Sequence, residues 1–329
     1  VHNKTILKLI ILLATFGLGL ISSFWLNLGH SSKYSLQSLS QHLETNGEEA
    51  FYVYVAQEIN SPFGDHDLAH QVGEFLFKNF GNEGIQLCTP LYNWGCFHGF
   101  FGRSLINGGV ESLNSAEDFC VSKKGNPLDF GGCVHGLGHG LMAIENYQFS
   151  GVESALKNCD LMERDVAISC YNGVFMEFNT NTMQSREVAL GAREVNDEGL
   201  MFPCVKLKPT YQAACYYEQP NWWAVILDHN YFRISHLCNQ LTDSLNRQMC
   251  FRGMGRSIPE ALKFSETASV QACLNAPGLQ ERSWCLLEAS KIFLTDNQQL
   301  TLTLCEQLDS QWALPCKIDL KAYEKEVSR

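Results

Sequence analysis

The sequence predicts an all-α protein: a disulfide-stapled array of helix pairs, α-solenoid-like, behind an N-terminal transmembrane segment. Three observations carry this. Fourteen cysteines fall into seven successive pairs. The first cysteines of the pairs recur after 32, 39, 45, 34, 35 and 32 residues, the range of stacked helical repeats. The segments between them follow the helical period, as in "VESALKNCDLM", which places Val152, Ala155, Leu156 and Cys159 on one face.

Residues 1–30 read as a signal-anchor. Lys4 and Lys8 precede Leu9–Leu26, eighteen residues without a charge, and about 20 apolar residues span the hydrocarbon core. The lysines would stay cytoplasmic, with Trp25 at the far interface. A cleaved signal peptide is the rival reading. Its apolar core would be shorter and would end in a small-x-small site. Only Ser22 and Ser23 offer one, and Phe24 and Trp25 follow at once. Length favours the anchor. Either way, the chain from Gly29 onward is expected on the exported side, periplasmic or extracellular, with the N-terminal helix as its contact with the membrane. No second run of this kind follows, which argues against a multi-pass protein.

Residues 31–62 form a short helical lead-in, with helices over Tyr34–Leu43 and Glu48–Ile59. Residues 63–329 hold the cysteine-rich repeat domain. Its pairs are Cys88 and Cys96, Cys120 and Cys133, Cys159 and Cys170, Cys204 and Cys215, Cys238 and Cys250, Cys273 and Cys285, and Cys305 and Cys316, each enclosing 7 to 12 residues. None has the two-residue gap of a redox motif or zinc knuckle. An even count in phase behind a membrane segment reads as disulfides in an oxidising compartment. Local pairing is assumed, because spacing alone does not fix connectivity. On that assumption one helix ends near the first cysteine and the next begins near the second. Each bridge then staples neighbouring helices, contributing about 2–3 kcal/mol. "FGNEG" and "INGGVES" supply glycine and asparagine stops.

The second cysteines open related stretches: "CFHGFFGRSL", "CVHGLGHGLM", "CYNGVFMEFN", "CYYEQPNWWA", "CFRGMGRSIP", "CLLEASKIFL" and "CKIDLKAYEK". A cysteine-free stretch, "LAHQVGEFLF" from Leu68 to Phe77, joins them if His70 matches His135 and Gly73 matches Gly138. The first unit, "CTPLYNWGCFHGFFGRSLINGGVESLNSAEDFC" from Cys88 to Cys120, resembles the cysteine-rich Sel1-like repeats of secreted bacterial proteins. Those are tetratricopeptide-type helix pairs. Later units have wider gaps and lose the glycine pattern, and histidine stands where the family has a small polar or apolar residue. The resemblance implies helix-pair architecture and a binding scaffold, and no particular chemistry.

Aligned on the second cysteine, the units place His98, His135, Asn172, Tyr217, Arg252 and Leu287 in one column, with His70 in the cysteine-free unit. Four residues on stand Glu74, Gly102, His139, Met176 and Arg256. His135 and His139, like His66 and His70, are spaced i, i+4, so each pair can point at one ion from one helix face. Imidazole suits zinc, copper or iron. Oxidised cysteines would be unavailable, which leaves His66, His70, His98, His135 and His139 as ligands. Asp65, Asp67, Glu74 and Glu177 could complete the set or orient imidazoles from outside it. Against this, Gly136, Gly138 and Gly140 permit close helix packing, and a histidine beside them can serve as a mere seam residue. "HDLAH" lacks the glutamate of a zinc protease.

Other signals are weaker. Arg252 and Arg256 could clamp an anion or sit on an ion-paired face. Tyr216, Tyr217, Trp222 and Trp223 could line a groove or fill the core. His229 and His236 read as structural. The net charge is −11 with 18% charged residues and no long basic run, which sets nucleic acid aside as a partner. The leading expectation is an exported, membrane-anchored protein that binds a divalent transition metal, with enzymatic chemistry left open. The alternative is a non-catalytic scaffold that holds a protein or peptide partner in the groove of its repeats.

Overall fold

The computed structural model describes residues 36–54, 66–88, 94–122, 127–145, 147–162, 164–181, 192–297, 301–308 and 310–327. The expected membrane segment lies outside them. Among the described residues no helix is long and apolar enough to cross a membrane, and there is no strand.

The chain divides into two compact units, residues 1–51 and 52–329. The first contains most of α1 (Leu36–Tyr54). Two short helices were expected here. The structure has two helical stretches that meet at a kink at Gly47, whose positive φ of 77° favours glycine. The expected extension of the second helix to Ile59 falls outside the described residues.

The second unit alternates long and short helices. The long ones are α2 (His66–Phe80) and α3 (Gly95–Gly108). After α4 (Leu113–Ser122) comes α5 (Pro127–Ala143), and after α6 (Phe149–Cys159) comes α7 (Arg164–Thr180). Then follow α8 (Pro209–Ile226), α9 (Tyr231–Asn239), α10 (Ser244–Ala261), α11 (Glu266–Cys273) and α12 (Leu279–Asn297). The series ends with α13 (Leu302–Glu306) and α14 (Ser310–Val327). Each long helix packs on the next in the order α2, α3, α5, α7, α8, α10, α12, α14, and α14 also touches α5. The short helices α4, α6, α9, α11 and α13 fill the intervals against their long neighbours.

All seven bridges are local, with Cα separations of 5.3 to 5.7 Å. No free cysteine remains. One expectation needs correcting. The second cysteine does not open its helix except at Cys96. Cys133, Cys170, Cys215, Cys250, Cys285 and Cys316 each lie six residues past the helix start. Each of these six bridges reaches the flank of a long helix rather than its end, and so sits inside the core. Cys120, Cys133, Cys159 and Cys170 are fully buried accordingly.

The face read from "VESALKNCDLM" is buried as expected: Val152, Ala155, Leu156 and Cys159 are inaccessible. The glycine stops also hold. Gly81 follows α2 at φ 57° and Gly109 follows α3 at φ 62°. Trp222 and Trp223 are core residues, fully inaccessible.

Glycine sets how closely the long helices approach. A Cβ on Gly73 would stand 2.0 Å from the Cys96 carbonyl oxygen, and one on Gly138 would stand 2.1 Å from that of Cys170. The match of Gly73 to Gly138 thus has a shared physical meaning: each admits the second-cysteine carbonyl of the next long helix. Gly99 and Gly173 do the reverse, admitting the carbonyls of His70 and His135. Gly136 likewise admits the Phe97 carbonyl oxygen, 2.9 Å from where its Cβ would stand, so the histidine-bearing turns of α2, α3 and α5 are in backbone contact.

Candidate metal centre

That contact gathers the histidines. His70 on α2, His98 on α3 and His135 on α5 occupy one column of successive long helices. His139 lies one turn beyond His135. His98, His135 and His139 each offer a ring nitrogen, and these atoms lie within 4.8 Å of one another. The Nε2 atoms of His135 and His139 are 3.2 Å apart. His98 Nδ1 is 3.2 Å from His70 Nε2. The His98 ring lies over that of His139, with centroids 4.7 Å apart and an interplanar angle of 16°.

The cluster is buried. His139 is inaccessible, and His98 and His70 nearly so. His135 is half-buried and forms its open side. On the far side of His139, Nδ1 meets Glu177 Oε2 at 2.9 Å. The other carboxylate oxygen of Glu177 accepts the Tyr147 hydroxyl. Burial, then the charge and hydrogen bond of Glu177, push the Tyr147 phenol far above its ordinary pKa. It is a fixed neutral donor. An ionised Glu177 accepts a hydrogen bond from the Nδ1–H of His139, and in the neutral imidazole that leaves Nε2 as the lone-pair nitrogen.

Two readings of a 3.2 Å nitrogen–nitrogen distance exist: an N–H···N hydrogen bond, or two ligands of one ion. Zinc–nitrogen bonds of about 2.0–2.1 Å place tetrahedral ligand atoms about 3.3 Å apart. The His135–His139 distance therefore fits an ion without helix movement.

The remaining expected site residues are placed as follows. Glu74 Oε2 pairs with Arg103 Nη2 at 3.0 Å. Asp65 lies outside the described residues, as do the side chains of His66 and Asp67. Arg252 and Arg256 stand in the two histidine columns, on α10. They are ion-paired: Arg252 with Glu288 at 3.0 Å, and Arg256 with Glu218. Tyr217 adds a hydrogen bond to Glu288 Oε1 at 2.7 Å. Burial pushes Glu218 up, with Arg256 opposing. Burial also pushes on Glu288, but Lys291, Arg252 and the Tyr217 hydroxyl together carry it below its ordinary value.

Sequence reasoning missed Tyr147. It lies outside the repeat columns, in the connection between α5 and α6, where its backbone φ is 52°, uncommon for a non-glycine residue.

No family model, curated protein or solved structure matches this chain.

Proposed function

We propose that this is an exported metal-binding protein whose ion is held by His98, His135 and His139. The observation that carries the reading is the convergence of three imidazoles from two packed helices, with Glu177 fixing the tautomer of one. His70 orients His98 through Nδ1 as Glu177 orients His139. Three protein nitrogens and a half-exposed edge leave a coordination position open for water or substrate. All-imidazole ligation suits zinc, copper or iron as the divalent ion. Seven disulfides support an oxidising compartment, periplasmic or extracellular. We further propose an α-solenoid-like array of the Sel1-like, tetratricopeptide type, supported by the long–short helix alternation. Leu9–Leu26 would be its membrane anchor, supported by eighteen uncharged residues after Lys8.

The histidine contacts also suit a closed hydrogen-bonded seam, which would favour a partner-binding scaffold. Elemental analysis of the full chain, purified without chelator and then offered zinc, copper and iron in turn, decides between them. The metal reading expects one ion per chain in the native protein and none in the His135→Ala/His139→Ala variant, whose far-UV helical signal is kept by the bridges. A native chain that holds no metal and accepts none gives the scaffold reading.

A further inference from the structure

A cavity of about 290 Å³ lies between the α5–α6 connection, the end of α7 and residues 192–203. Its volume is near the lower bound of small-molecule sites, about 300 Å³. Phe149, Phe178 and Phe202 give it apolar walls, and Gln148, Arg193 and Asn196 line it with donors.

Arg193 is the unusual member. Its guanidinium carbon lies 3.5 Å from the Trp222 ring centroid and 5.2 and 5.8 Å from those of Phe178 and Phe202. Nε donates to Asn179 Oδ1 at 2.8 Å and Nη2 to the Phe202 carbonyl at 2.6 Å. These bonds fix the plane of the group. Nη1 has no acceptor among the described residues, and no carboxylate there lies within ion-pair distance of it. Arg103, Arg247, Arg252 and Arg256 each pair with a glutamate. Arg193 is held by neutral acceptors and aromatic faces instead. Burial pulls its pKa down to about 9, so keeping this cation charged is a cost that an anion would offset.

Asn196 is placed to help. Its Oδ1 is occupied by the Glu198 backbone N–H at 3.2 Å, which leaves the amide NH2 as a donor. Glu194, exposed at the same cavity, adds a negative rim that opposes polyanions. We infer that this cavity binds a small organic monocarboxylate, its carboxylate on Arg193 Nη1 and Asn196 and its apolar body against Phe149, Phe178 and Phe202. The cavity does not depend on the metal reading. Tyr147 stands in its wall and meets Glu177, which touches His139, so the two sites are neighbours through two hydrogen bonds.

The test is calorimetric titration of the chelator-treated full chain with 3-phenylpropionate and, separately, with its neutral amide. A charge-assisted contact to a guanidinium should make the acid bind about tenfold or more tightly than the amide. Arg193→Gln should remove that preference. Because Arg193 also anchors residues 192–203, Asn196→Asp is the second variant: it keeps the Oδ1 acceptor but places a negative charge in the cavity. It should weaken the acid about fivefold or more and leave the amide within about twofold. The His135→Ala/His139→Ala chain should retain full acid affinity, so failure of the metal reading leaves this result standing. Equal affinity for acid and amide, no saturation by about 10 mM, or an Asn196→Asp chain that binds the acid unchanged would each overturn the inference.

Discussion

The α5–α7 seam makes a graded prediction. A Cβ on Gly173 would stand 2.0 Å from the His135 carbonyl oxygen, where ordinary contact begins at 3.4 Å. The obstacle is backbone, so no side-chain rotation relieves it; α5 and α7 must separate by about 1.4 Å, the difference of those two distances. Such overpacking costs about 1–3 kcal/mol, set against about 0.5–1 kcal/mol gained when alanine replaces a helical glycine. Gly173→Ala should therefore lose about 1–2 kcal/mol net, and Gly138→Ala, with 2.1 Å to the Cys170 carbonyl oxygen, should behave alike. Gly131→Ala is the control. Its Cβ would meet only Ser169 Oγ, at 3.6 Å, so the propensity gain should stand alone and raise stability. Urea denaturation followed at 222 nm gives the ordering. Because Gly173 presses on the His135 backbone, its variant should also lose metal under the proposed reading. If Gly173→Ala and Gly131→Ala shift the urea midpoint equally, the seam is not in backbone contact and the argument for how the histidines are gathered fails.

Three further outcomes are expected. Glu177→Gln should weaken metal binding about 10- to 100-fold in a competition titration, with little change in helical content, because the amide keeps the shape but loses the charge that fixes the His139 tautomer. Arg256→Ala should lower the urea midpoint by the equivalent of about 3–5 kcal/mol, since it strands the buried Glu218 carboxylate; adding Glu218→Leu should restore most of that loss. Tyr231, buried with its hydroxyl on the Ser257 carbonyl, is pushed up by burial to about 12. Its folded pKa is above its unfolded value of about 10, so its contribution to stability is full below pH 10 and is lost as pH rises towards 12. Tyr231→Phe should flatten the fall in thermal midpoint over that window.

The parts legible in the sequence were those that repeat. Cysteine phase gave the bridges and the alternation of helices, because a covalent staple of fixed reach must recur with the unit it closes. The column of His70, His98 and His135 was legible for the same reason: equivalent positions on stacked helices face equivalent neighbours. Residues off the repeat were not. Tyr147 and Arg193 lie in connections, where no period announces which way a side chain points. Glu74 was visible as a carboxylate one turn from His70, but not its pairing with Arg103 on the next helix. The placement of the second cysteine two turns inside its helix needed the three-dimensional fact that the bridge joins helix flanks.

The same two columns carry histidines on α5 and arginines on α10, and the comparison bears on what each half of the array is for. In both, a basic side chain meets a carboxylate from a neighbouring long helix: His139 with Glu177, Arg256 with Glu218, Arg252 with Glu288. Glu218 and Glu288 stand three residues past the second cysteine, where other units have Gly99, Gly136, Gly173 and Gly253. At these two positions the acid that replaces glycine is matched by an arginine on the neighbouring helix. A guanidinium stays protonated and has no lone pair to give, so the arginines of the α8–α10–α12 cluster cannot ligate a metal. The histidine cluster differs on both counts. Its imidazoles can be neutral donors of electron pairs, and the Glu177 carboxylate already faces His139 from behind. A dipositive ion at the Nε2 side of His139 would meet neutral nitrogens in front and that negative charge beyond the ring, which is the arrangement that raises the basicity of a ligating imidazole. The two parts of the array thus share the columns but not the chemistry, and under the proposed reading it is the N-terminal imidazoles that would receive the metal.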